Sequence, residues 1–124
     1  MESVDEAYNR GDLEAVLDFY EDNAVMVVEP SGALARGKVE LRRAFEQVMT
    51  ANGSAKQVKT HVIEAEGIAL FISHWTYSGT DPSGNAFVWQ LTATTVFREG
   101  GDGRWRALID NSFGPAVLGR SPSS

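Results

Sequence analysis

Two acids stand in segments that otherwise read as apolar and β-forming. Glu29 closes the run Val25-Met26-Val27-Val28 just before Pro30, and Asp110 follows Leu108-Ile109 in the last such stretch. A carboxyl held among apolar side chains resists ionisation, so its pKa climbs toward the range useful for taking a proton near neutrality. Two such groups facing one reacting centre can divide the work, one protonated and one not. Tyr8 and Tyr20 fall a few turns apart on the early helical segments, where their hydroxyls could point the same way. Blander roles fit the same residues. Tyr20 serves equally as a core residue with a satisfied hydroxyl. Asp110 could instead accept backbone hydrogen bonds and hold the last hairpin to a helix, and Glu29 could face water at a strand end.

Other chemistries find little support. The chain has no cysteine, hence no thiolate and no disulfide. His61 and His74 are far apart and lack neighbouring ligands, so no metal is expected. No phosphate-cradling glycine loop is visible, so no cofactor is expected. Eleven Lys and Arg against 17 Asp and Glu give a net charge of -6. That balance disfavours nucleic acid, which needs a basic footprint. No apolar run approaches the ~20 residues of a membrane span, and the first residues do not form a signal or anchor. These features, with the cysteine count, point to a cytoplasmic protein.

The elements that must position these groups follow from periodicity. Residues 2–10 and 12–21 read as two helices, with Asp12 capping the second after Gly11. The run 25–29 reads as a strand, and Glu21-Asp22-Asn23 as a turn. A third helix spans 38–52, with an apolar stripe through Val39, Leu41, Ala44, Phe45, Val48 and Met49. Four β-rich stretches follow at 57–65, 68–79, 86–98 and 104–113, separated by turn residues, as in an antiparallel meander. Helices first and strands after define an α+β class, with one domain over residues 1–117 and a flexible tail at 118–124. A curved sheet covered on one side by short helices leaves a cone, the natural place for a pocket.

Alternation sorts the strand residues. Phe71, Trp75 and Tyr77 share one face; Leu91, Ala93, Thr95 and Phe97 share another. With Tyr8, Phe45 and Met49 from the helices, these would wall the pocket. In the last strand Leu108, Asp110 and Ser112 alternate with Ala107, Ile109, Asn111 and Phe113. His74 sits opposite Trp75 and should look outward.

The stretch from Gly11 to Ala24 resembles the opening of the nuclear transport factor 2-like superfamily. So do Glu29-Pro30-Ser31-Gly32 and the Arg36-Gly37-Lys38 that leads into a helix. The segment Asp102-Gly103-Arg104-Trp105-Arg106 to Asn111 is similar to the last hairpin of SnoaL-like and ketosteroid-isomerase-like members. The resemblance, over residues 5–114, implies a cone-shaped curved antiparallel sheet covered by N-terminal helices. It also implies homodimers packed through the outer sheet face. It places Glu29 where isomerases carry their base, which would make it the proton acceptor in the pocket wall. It suggests that Leu108, Asp110 and Ser112 face the cone. The isomerase oxyanion tyrosine falls at Val4 and the second acid at Thr95, so the full isomerase set is absent. What remains is a pocket for a small, mostly apolar organic molecule. Glu29, Asp110, Tyr20 and Thr95 would be its acid–base groups for an isomerase, hydratase, dehydratase or cyclase type of reaction. The superfamily equally contains non-catalytic ligand-binding and dimerisation modules, and fold does not choose among them.

Overall fold

The computed structural model describes residues 3–29, 31–49 and 53–118. Helix α1, Val4–Asn9, begins at a capping box: the Ser3 hydroxyl accepts from the Glu6 amide and the Glu6 carboxylate accepts from the Ser3 amide. Helix α2, Leu13–Leu17, is capped by Asp12, whose carboxylate accepts from the Ala15 amide. It is shorter than periodicity predicts. Tyr20, expected on that helix, instead opens strand β1, Tyr20–Val27. The acidic run after it reads as a turn. Its backbone nonetheless stays in the sheet, and the pairing register slips between Tyr20 and Val25 to absorb it.

The other strands are β2 Leu34–Arg36, β3 Gly53–Ala65, β4 Ile68–Thr80, β5 Ala86–Glu99 and β6 Trp105–Asn111, with helix α3, Gly37–Met49, between β2 and β3. A short 3-10 turn, Gly114–Leu118, follows β6. They form one six-stranded sheet in the order β2-β1-β6-β5-β4-β3. The predicted meander is present in β3 to β6, all antiparallel. One pairing departs from it: β1 runs parallel to β6, with Met26 opposite Asp110. The expected tail lies outside the described residues beyond Leu118.

Helix α3 packs on β1 and β2, and α1 packs on β3 at the other edge of the sheet. Ala7, Val16, Leu17, Tyr20, Ala24, Met26, Leu41 and Ala107 form the centre of the core. Leu41 is fully buried. Removing a leucine side chain from water contributes about 2 kcal/mol. Asn9, at the end of α1, both donates to and accepts from the backbone of Ala55, so α1 is fastened to the free edge of β3. That contact also occupies part of an edge which would otherwise invite pairing with another chain.

Candidate functional site: two polar clusters on the concave face

Cross-strand register fixes which side chains share the concave face. Phe71, Thr95, Asp110 and Met26 lie in one row across β4, β5, β6 and β1, and Ala69, Phe97, Ala107 and Tyr20 in the next. A bulge on β6 leaves Leu108 without a partner between Ala107 and Ile109. The bulge shifts the alternation expected for this strand: Ala107 and Asp110 are both buried, and Leu108 is only half-buried.

Asp110 is the centre of the first cluster. The Tyr20 hydroxyl donates to its Oδ2 at 2.5 Å, and the hydroxyls of Thr95 and Ser112 donate to Oδ1 at 3.1 and 3.3 Å. Three of the four sequence candidates, Asp110, Tyr20 and Thr95, therefore meet in one buried network drawn from three strands. Burial pushes the Asp110 carboxyl above the usual range, against the pull of its three donors. Burial also raises the Tyr20 phenol, helped by the neighbouring Asp110 charge. Trp75 leans on the same region: its indole N–H donates to the Ser112 carbonyl at 3.0 Å.

Glu29 is not in this network. It is exposed in the turn after β1, where its carboxylate accepts from the Ser31 hydroxyl at 3.1 Å. The expectation that it lies in an apolar wall is corrected by alternation. Ala24 and Met26 are buried and Val28 packs against the core, so the next residue turns away from it.

A second cluster, missed in the sequence, lies farther along the concave face. Ser73, almost fully buried, donates to the Gln57 side-chain oxygen, and the Gln57 amide donates to Asp5 at 3.5 Å. Burial raises the Asp5 carboxyl, opposed by Gln57. Its charge also bears on Tyr20, so the two clusters sense each other. Spacing on α1 held the signal. Asp5 and Tyr8 are three residues apart, on one helix face.

Aromatic rings share the same face. Tyr8 and Tyr77 join hydroxyls at 3.3 Å, and burial raises the Tyr8 phenol. Trp75 meets Tyr77 edge-on, Phe71 meets Phe97, and Phe45 of α3 packs on Tyr20. Leu91 pairs with Trp75 and buried Ala93 with Ser73, so both lie on the concave face. Met49 is half-buried at the end of α3. Trp89 extends this surface to the rim, 56% exposed. A separate depression of about 290 Å³ lies outside the cone, between α2 and α3, bounded by charged residues such as Glu14, Lys38 and Arg42.

Among the described residues no group of three or more His, Cys, Asp and Glu could hold a metal ion, and no helix is long and apolar enough to cross a membrane.

Several solved structures share this arrangement. A candidate calcium/calmodulin-dependent protein kinase II association domain from Xanthomonas campestris superposes with a TM-score of 0.75 at 19% identity, over 90% of this chain and 81% of that one. An NTF2-like protein with a cystatin-like fold from Novosphingobium aromaticivorans gives 0.73 at 18%, over 87% and 72%. A candidate dehydratase of the NTF2-like family from Streptomyces avermitilis gives 0.73 at 21%, over 86% and 85%. Identities this low carry the fold and nothing of the chemistry. No curated protein matches the sequence. The sequence profile of the SnoaL-like domain, however, matches residues 2–108, nearly the whole of the helices and sheet just described. With fold and profile in agreement, the chain belongs to the SnoaL-like domain family and has the fold of NTF2-like proteins.

Proposed function

We propose that the concave face binds a small, mostly apolar organic molecule and performs acid–base chemistry on it without a cofactor. The observation that carries this reading is the pair of carboxyls on the concave side, Asp5 bonded by Gln57 and Asp110 bonded by Tyr20, Thr95 and Ser112, both raised by burial. Asp5 takes the role expected of Glu29. It is the more accessible acid and acts as proton acceptor. Asp110 is nearly saturated by its three donors. Once protonated it donates to one of them, which frees a Tyr20 or Thr95 hydroxyl to stabilise charge developing on a substrate oxygen. The reaction class is proton abstraction beside a carbonyl, or the related hydration and dehydration.

A usable probe is 2-tetralone, an apolar ketone with exchangeable protons beside its carbonyl. It should quench tryptophan fluorescence saturably, and its deuterium exchange, followed by NMR, should exceed the buffer rate. Asp5→Asn should slow exchange by about 100-fold, the contribution typical of a general base. Glu29→Gln should exchange at the parent rate. Full activity in Asp5→Asn would remove Asp5 from the mechanism, and an absence of saturable binding would remove the pocket.

A separate observation supports self-association. On the convex face Ile63, Leu70, Val96, Ile109 and Val25 stand in one register row across five strands, with Ile63, Leu70 and Ile109 exposed. A continuous apolar band on a sheet face marks an interaction surface. The protein should therefore run as a homodimer near twice 13.5 kDa in light scattering. Leu70→Glu should yield the monomer; a parent protein that is already monomeric at high concentration would refute the interface.

A further inference from the structure

The strands sort their charges by face. Register puts Lys59 beside His74, His61 beside Ile72, and Arg98 beside Arg106, all on the side away from Ser73, Thr95 and Asp110. Positions on the concave side of β3, β4 and β5 include Gln57, Glu64, Ser73 and Thr95, and none among the described residues is Lys, Arg or His. Several arginines are held at the periphery by acids: Arg98 by Glu21, Arg106 by Asp102, Arg104 by Asp18, Arg42 by Glu14. The acid nearest the aromatic residues is Asp5: it shares a face of α1 with Tyr8, its partner Gln57 stands opposite Trp75 in the strand register, and the Tyr8 hydroxyl meets that of Tyr77.

We infer that the ligand of this pocket is a small organic cation, an apolar ring-bearing amine or quaternary ammonium. Aromatic faces attract cations through their quadrupole, and a carboxylate beside them supplies the counter-charge. Asp5 suits that part: it is half-buried, and its hydrogen bond from Gln57 is long, at 3.5 Å. An anionic ligand meets the opposite situation, with Asp5 present and no Lys, Arg or His among the described residues on the concave side of β3, β4 and β5. This inference rests on the pocket reading above and adds the sign of the ligand's charge.

The test uses three probes of similar size: phenyltrimethylammonium, its uncharged isostere tert-butylbenzene, and benzoate. Binding is followed by tryptophan fluorescence at low salt. The cation should bind about tenfold more tightly than tert-butylbenzene, with benzoate weakest. Asp5→Asn should erase that preference, with the cation and tert-butylbenzene binding alike, and an unchanged urea midpoint reports that the variant is folded; a preference retained in folded Asp5→Asn also overturns the inference. Equal or tighter binding of tert-butylbenzene to the parent protein overturns the inference and leaves the pocket standing. Saturable binding by none of the three overturns both.

Discussion

Asp110→Ala is expected to lower stability by about 4 kcal/mol, measured by urea denaturation, a large part of what a small domain possesses. The loss has two sources. The substitution empties space at a fully packed position, and it strands three hydroxyls, of Tyr20, Thr95 and Ser112, that now donate to one carboxylate. A buried donor left without an acceptor costs about 1–3 kcal/mol. These donors also tie β1, β5 and β6 together at the parallel junction, where Met26 stands opposite Asp110. A loss under about 1 kcal/mol would mean that the network does not hold the junction.

The pH dependence of the milder variant separates charge from shape. Burial raises the folded-state pKa of Asp110 above its unfolded value. Its contribution is therefore complete below the ordinary carboxylate pKa and is lost as pH rises through the raised value. Asp110→Asn has the same shape and no proton to lose. Stability of the parent relative to Asp110→Asn should fall as pH is taken from about 4 upward through that range. The shift at Asp5 is common to both proteins and cancels. A difference that stays constant with pH would show that Asp110 does not titrate as described.

Much of this fold can be read from the chain. Period-2 patterning marks β4 and β5 because each presents one face to the interior, and their inward set follows from parity alone. Asp12 announces the start of α2 because a cap is a local hydrogen bond between near neighbours. What escapes the sequence is non-local. Tyr20 looks helical until the register shows its backbone opposite Ala107. Leu108 looks inward until the β6 bulge interrupts the alternation there. β2 has only three residues, too few to show a period. The site divides in the same way. Asp110, Tyr20 and Thr95 could be named from residue type and family resemblance. Asp5 could not, because its partner Gln57 lies 52 positions away and only the packing of α1 on β3 brings them together.

The same logic applies to a residue with no side chain at all. Gly114→Ala should cost about 3 kcal/mol, comparable to a core truncation, although it adds only a methyl group. Gly114 has φ near +54°, a left-handed conformation that an alanine adopts only under strain. A Cβ built there would stand 2.2 Å from the Thr92 carbonyl oxygen, which belongs to the β5 backbone and cannot rotate aside. Asn111 holds the turn in place: its side-chain oxygen accepts from the Phe113 and Gly114 amides, and its amide donates to the Gly114 carbonyl. Relief of the clash must therefore move the turn away from β5 and pull on Ser112, the residue that joins the Trp75 indole to Asp110. Trp75 fluorescence should change together with the urea midpoint. Gly101→Ala is the matched control, since its added methyl meets nothing within 4 Å and its backbone is not left-handed; it should stay within about 0.5 kcal/mol of the parent. If Gly114→Ala were as mild as Gly101→Ala, the turn could not be clamped on β5, and the position of Ser112 beneath Asp110 would lose its structural cause.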